Sequence, residues 1–393
     1  MGSSLYHNYP NAIRNLNHPD WLIWWFSNLS IAGTMRGLLS ILFGAGVVLL
    51  LSRGMNARHY YHRNICLILF GIMHGTLLLW ANDILFTYGV AALFLYPLRK
   101  FSTRLLLTTA IVSIFGILGI GTAYHDYAKS KLIEETRQLQ TMVKQGRNLD
   151  SSQQETLERG ASITSTIGPS KDKLAHEFAV RQSGYMANLF LSSNQFLNRK
   201  FSRSSAITRL VECVSTMILG MALFKMGFLQ GKLSVRIYLF LTVGCYLIAL
   251  PLRGFVLWLE YISGPNEFIW QQSAIFVVTR IPITLGHIGL FNLLLGTKRL
   301  SGIFSALADV GKMALTNYIG QSVMSAVIFL GFGWGLYGLL TWTQIMMIAA
   351  LILVIQTAFS MYWLKLFRFG PIEWIWRSIT HWHIQAMRLR SPQ

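Results

Sequence analysis

Roughly twenty-residue stretches with almost no charge recur nine times in this 393-residue chain, at approximately 33–52, 64–81, 84–98, 104–124, 206–228, 236–258, 270–296, 311–331 and 344–366. A bilayer core about 30 Å thick is crossed by roughly 20 residues of helix, so each run is expected to span a membrane. The runs are continuous rather than alternating, and backbone polar groups in lipid must be satisfied within their own segment. Both points exclude a β-barrel. The expected fold class is therefore all-α, a polytopic transmembrane helix bundle, and 53% hydrophobic against 12% charged residues agrees with it.

The net charge of +19 would suggest nucleic acid in a soluble protein; in a membrane protein the position of each charge decides. Arg53, Arg58, Arg63, Arg99, Lys100, Arg104, Lys225, Lys232, Arg236, Lys298, Arg299, Lys365, Arg368, Arg377, Arg388 and Arg390 fall in alternate short connections or the tail. The intervening connections carry Asp83, Glu260 and Glu267. The positive-inside rule makes the basic set cytoplasmic, with the C-terminus inside and the N-terminus outside, as nine spans require. No signal-peptide pattern occupies residues 1–32, so an outside N-terminus suggests that a first helix is missing. Cys66, Cys213 and Cys245 lie in apolar runs without paired spacing and are read as core residues, and no metal site is expected.

Residues 125–203 break the pattern. The stretch from Tyr124 to Arg203 holds eight of the fifteen acidic residues, with "KSKLIEETRQLQTMVKQ" reading as surface helix, "GASITSTIGPS" as linker and a second helical run from about Lys171 to Asn198. This insertion is expected outside. It divides an N-terminal group of four spans, 1–124, from a C-terminal group of five plus an interfacial tail, 204–393.

Four motifs then carry a resemblance: "MRGLLSILFGAG" from Met35, "LFGIMHGTLLLWANDILFTYG" from Leu69, "VGKMALTNYIGQS" from Val310 and "FGPIEWIWR" from Phe369. Together they resemble the YeiB-type bacterial inner-membrane proteins, whose C-terminal half is a domain of unknown function. That family is similar at fold level to membrane acyltransferases, which implies an acyl group taken from cytoplasmic acyl-CoA and delivered to a cell-envelope acceptor outside. Family members usually begin with a further helix carrying an "LRG" motif, which fits the missing first span.

Several polar residues stand out against this background. His74 lies inside an apolar run, where an ionisable group marks function by default, and acyl transfer needs a base that titrates near neutrality. The alternative is a neutral imidazole bonded to a neighbouring helix. Asp83 follows nine residues later, half a turn off the same face at 100° per residue, so a direct dyad on one straight helix is not expected. Capping of the next helix and orientation of a substrate hydroxyl are both open to Asp83. Arg36 stands among Gly33, Gly37, Ser40 and Gly44, a spacing that lets helices approach closely; it either snorkels or binds an anionic group.

Asp309, Lys312 and Thr316 share a helical face, with Asn317 and Gln321 on its flank. Lys312, Asn317, Gln321 and Arg280 are the expected acyl-CoA contacts, against a bland reading as a surface ion pair with interhelical hydrogen bonds. Arg280 and His287 share a face of one span, and Arg280, close to mid-membrane, needs a partner such as Glu212. The tail from Phe369, with Trp374, Trp376 and Trp382, reads as an interfacial anchor in which Glu373 pairs with a neighbouring loop.

Two functions stay open: an acyltransferase with His74 as general base or transient acyl carrier and Asp83 and Arg36 holding the acceptor, or a transporter or flippase whose pathway the same residues line. Expected partners are membrane lipids, the acyl acceptor and a second copy of the chain; nucleic acid is not expected.

Overall fold

The computed structural model describes residues 18–167, 171–201, 203–263, 270–297 and 300–389. Lys298, Arg299, Arg390 and Glu267 lie outside the described residues, as does the side chain of Glu260. Among the described residues the chain is helical throughout apart from turns, and a single-residue bridge between Phe367 and Arg388 is the extended pairing present.

Helix α1 (His18–Phe26) runs through a π-helical stretch, Ser27–Ile31, into α2 (Thr34–Ser52). Then come α3 (Ala57–Thr76), α4 (Leu85–Leu93) and α5 (Thr103–Ile111), the last continued by a π stretch, Val112–Ile120, into α6 (Gly121–Lys144). The insertion follows as α7 (Ser151–Ile167), α8 (Lys171–Arg181) and α9 (Tyr185–Phe201). The second half comprises α10 (Arg203–Lys225), α11 (Val235–Ser263), α12 (Trp270–Leu295), α13 (Ser301–Lys312), α14 (Ala314–Phe329), α15 (Trp342–Leu366) and α16 (Pro371–His381).

Among the described residues, six helical segments are long and apolar enough to cross a membrane: Pro19–Ser52, Thr103–Lys144, Ala206–Lys225, Val235–Leu259, Ala274–Leu295 and Trp342–Leu366. The other three expected spans correspond to α3, which opens on the polar "ARHYYHRN", to the nine-residue α4 and to the 16-residue α14. At 1.5 Å per residue α4 is only about 14 Å long. Interrupted helices at membrane depth are tolerated where protein covers their free ends. These three carry the candidate site described below.

The core gathers α2, α3, α4, α5, α10 and α12 around Met217 and Met221, both fully buried. Helix α10 is central, with 56% of its span buried, whereas α11 and α15 at 17% turn most of their apolar surface outward. Helices α2 and α10 touch backbone to backbone. A Cβ on Gly44 would sit 1.9 Å from the Met217 carbonyl oxygen, and one on Gly220 would sit 2.0 Å from that of Ile41. Small residues at such a crossing replace the hydrophobic drive that lipid removes.

The π stretch between α1 and α2 frees main-chain carbonyls, and two polar side chains meet them. Arg253 of α11, 1% exposed, donates to the Leu29 and Ala32 carbonyls and lies 4.3 Å from the Phe276 ring. His287 of α12 bonds the Ser30 carbonyl through Nε2 at 2.9 Å and the Tyr246 hydroxyl through Nδ1 at 2.6 Å. Both are accounted for by the need to satisfy buried backbone groups.

Two expectations about the insertion change. The Ser/Thr-rich linker begins as helix, since α7 runs on to Ile167 and seats Gly160 against Thr136 of α6, leaving no room there for a side chain. The second helical run breaks at 182–184, where Gln182 reaches out to the Gly335 and Tyr337 carbonyls.

Candidate functional site

Helix α3 ends at Thr76 although the apolar run continues. The chain then turns through Leu79, at φ 61°, a left-handed conformation unusual for a residue with a branched side chain. Leu79 is held there by burial against Ala326, Leu330 and Leu189. Main-chain bonds from Trp80 N–H to the His74 carbonyl and from Asp83 N–H to the Trp80 carbonyl close the turn. Gly71 lets the start of α4 press onto α3, because a Cβ there would lie 2.2 Å from the Phe86 nitrogen and 2.7 Å from Asp83 Oδ2.

The turn corrects the expectation that His74 and Asp83 face apart. That expectation assumed one straight helix; with α3 ended, Asp83 Oδ1 comes to 2.8 Å from His74 Nδ1. Asp83 Oδ2 accepts the Phe86 N–H at 2.7 Å, so the same carboxylate caps α4. Tyr318 of α14 donates its hydroxyl toward Asp83 Oδ1 at 3.5 Å and lays its ring 4.7 Å from the imidazole.

The second imidazole nitrogen meets a residue that the sequence did not single out. Ser322 Oγ lies 2.8 Å from His74 Nε2. His74, Asp83 and Ser322 are at most 2% exposed, so the three form a closed chain of hydrogen bonds away from water. Where Asp83 accepts from Nδ1–H, Nε2 is left as the acceptor and Ser322 donates to it, with the Tyr318 carbonyl, 3.2 Å from the same hydroxyl, as the competing acceptor. The order carboxylate, imidazole, hydroxyl is that of an activated nucleophile.

Arg36 belongs to a neighbouring cluster. Its Nη2 lies 2.7 Å from Glu212 Oε1, and Arg280 Nη1 meets the same oxygen at 2.5 Å. Arg280 is 4% exposed, and its Nε and Nη2 have no partner among the described residues. The Arg36 carbonyl accepts from the Tyr88 hydroxyl, which also bonds Ser40. Lys200 of α9 reaches the relay by donating to the Asp83 carbonyl and also bonds Thr87 Oγ1.

The four expected acyl-CoA contacts do not converge. Arg280 is committed to Glu212, whereas Lys312 pairs with Asp309 at 2.8 Å on an exposed surface. The helix breaks at Met313, so the stripe from Asp309 to Gln321 is not one continuous face. Asn317 donates to Ser360 and the Val310 carbonyl and accepts from Gln356 at its own carbonyl, an interhelical clamp between α14 and α15, while Gln321 points outward. Among the described residues Glu373 pairs with no loop cation. It accepts the Leu315 and Thr316 N–H groups and the Thr316 hydroxyl, capping the α14 N-terminus that the break at Met313 creates.

Residues 217–383 match the family model described as Protein of unknown function (DUF418). The chain is 27% identical over 353 residues to the uncharacterized protein YxaH of Bacillus subtilis, covering 88% of this chain and 78% of that one. It is 26% identical over 380 residues to the uncharacterized protein YeiB of Escherichia coli, covering 91% and 84%. An uncharacterized 39.9 kDa protein from the amylase 3′ region of Bacillus acidopullulyticus is 38% identical over 95 residues, 24% of this chain and 27% of its own. No solved structure matches. The matched segment supplies Ser322 and Tyr318, while His74 and Asp83 come from the preceding half, so the relay is assembled across its boundary. Residues 217–383 thus match the DUF418 family, and over most of its length the chain is similar to the YeiB and YxaH proteins.

Proposed function

We infer that the chain is a membrane acyltransferase and that Asp83, His74 and Ser322 are its reacting relay. The observation that carries the reading is the unbroken pair of 2.8 Å contacts from Asp83 through His74 to Ser322, buried together. The donor is an acyl thioester, acyl-CoA, and the acceptor a hydroxyl-bearing component of the cell envelope. Its setting is the bacterial inner membrane with the C-terminus inside, a placement supported by the basic residues of alternate connections.

In this reading Ser322 Oγ attacks the thioester carbonyl as its proton passes to His74 Nε2. The C–S bond breaks, and the thiolate leaves with that proton as free thiol. The acceptor hydroxyl then gives its proton to Nε2 and attacks the Ser322 ester; the bond to Oγ breaks and Ser322 recovers its proton. Asp83 holds the imidazole tautomer and stabilises the imidazolium, and its own orientation is fixed by the Phe86 N–H. Tyr318 and Trp80, whose rings lie 4.7 and 6.3 Å from the imidazole, shield the transfer from water.

The test is release of free thiol from acetyl-CoA and longer acyl-CoAs by the purified, detergent-solubilised chain. Thiol release that disappears in His74→Ala and in Ser322→Ala, with thermal unfolding still cooperative, is the expected result. Turnover retained by either variant, or none by the wild type with any chain length, would overturn the assignment.

A further inference from the structure

Arg280 of α12 is a cation held inside the bundle with part of its hydrogen-bonding capacity unused. It is 4% exposed, its Nη1 meets Glu212 Oε1, and its Nε and Nη2 bond nothing among the described residues. Nε and Nη2 form one edge of the planar guanidinium, an edge whose two parallel N–H groups match the two oxygens of a carboxylate or phosphate. We propose that Arg280 and Arg36 together form a binding site for an oxyanion, a phosphate or carboxylate group seated on that open edge beside Arg36.

The balance of charge argues for an anion. Arg36 of α2 reaches the same Glu212 Oε1 at 2.7 Å, and Glu212 attracts Arg209 as well. Arg253 of α11 stands close enough to Arg280 to be repelled by it. Its bonds go to the Leu29, Ala32 and Phe276 carbonyls, and its Nε too is unpartnered among the described residues. Arg36, Arg253 and Arg280 thus converge from three helices, and the single charge of Glu212 cannot balance them. A buried guanidinium edge without a partner is costly, and an arginine inside a membrane bundle needs a carboxylate, a carbonyl or a ligand. The carboxylate is engaged through Nη1 and no described carbonyl reaches Nε or Nη2, which leaves the ligand.

The surroundings hold the guanidinium in place and leave a way in. Gly33, at φ 76°, lets the Arg280 stem lie against the main chain, since a Cβ there would sit 3.1 Å from Arg280 Cδ. The Arg36 side chain is 47% exposed and forms the open side of the cluster. Thr208, one turn before Glu212 on the same face of α10, lines a cleft of about 510 Å³ with Ile117 and Leu118, so open space runs along α10 toward the carboxylate. Tyr88 interacts with both Arg280 and Tyr318 and so stands between this cluster and the relay. The inference does not rest on acyl transfer.

The test follows the unfolding midpoint of the full chain in detergent at constant ionic strength, titrated with inorganic phosphate, acetate or phosphatidylglycerol, with chloride and phosphatidylcholine as references. At least one of the three is expected to raise the midpoint beyond its reference, and the one that does so tells a soluble ion from a lipid headgroup. Glu212→Gln keeps an acceptor for both arginines but removes the competing charge, and should tighten binding about tenfold or more. Arg280→Lys keeps the charge without the fork and should weaken it about tenfold. A wild type that responds to none of the three beyond its reference overturns the proposal. So does a response that Glu212→Gln leaves unchanged or weakens, or that Arg280→Lys leaves unchanged, because the anion would then bind elsewhere. Should Arg280→Lys fail to fold, the Glu212→Gln comparison decides alone.

Discussion

Asp83→Asn isolates the electronic role of the carboxylate from its structural one. The asparagine carbonyl oxygen can keep the 2.7 Å bond from the Phe86 N–H, so the cap on α4 survives. The amide nitrogen then faces His74 Nδ1 at the 2.8 Å now spanned by a carboxylate oxygen, and it can only donate. His74 must accept at Nδ1 and carry its proton on Nε2. Ser322, 2.8 Å away, loses its proton acceptor. In hydrolase triads the same tautomer reversal costs about 10⁴ in rate, or roughly 5 kcal/mol of transition-state stabilisation. The measurement is the single-turnover rate of thiol release with saturating acyl-CoA, alongside the unfolding midpoint. A fall of two to four decades with an unchanged midpoint is expected. A rate within about threefold of wild type would show that the tautomer is irrelevant and refute the relay.

Three further predictions concern the scaffold. Gly220→Val forces branched carbon into the Ile41 carbonyl at 2.0 Å and should destabilise the α2–α10 crossing by about 1–3 kcal/mol or more, read as a lowered unfolding midpoint; an unchanged midpoint contradicts the close approach. Glu373→Ala leaves the Leu315 and Thr316 N–H groups unpaired at the start of α14 and should cost about 1–2 kcal/mol, whereas Glu373→Gln, which retains an acceptor, should cost less. Burial lowers the Lys200 ammonium from 10.5 to about 8, against the opposing pull of Asp83. The unfolded chain then binds more protons between those values, so stability should rise with pH from about 8 to 10.5, with the burial penalty fully present below pH 8. Lys200→Met should flatten that rise; a wild-type midpoint independent of pH in this window contradicts the burial.

The membrane-spanning helices were legible because a bilayer imposes one length on every apolar run, and Gly44 was legible as a packing residue from the spacing of small side chains. The site was legible only in part. His74 stands out as an imidazole in lipid, but its geometry depends on a left-handed turn at Leu79, a residue type that does not announce one, so helical periodicity alone puts Asp83 on the opposite face. Ser322 had no signal of its own; a hydroxyl one turn beyond Tyr318 reads as ordinary interhelical polarity until α14 is seen to face α3. The stripe from Asp309 to Gln321 is broken for a similar reason, since the helix that starts after Met313 is capped by Glu373, 58 residues beyond Leu315. Long-range caps and buried turns are tertiary facts, and periodicity is blind to them.

The most direct measurement of the central claim is the intact mass of the chain, quenched in acid after brief exposure to acetyl-CoA without acceptor and then mapped by peptide fragmentation. The account predicts one added acetyl group, on Ser322, absent in Ser322→Ala and accumulating at a rate that falls with Asp83→Asn. Acetyl found on another residue, or no adduct while thiol is being released, would contradict Ser322 as the nucleophile and the relay built on it.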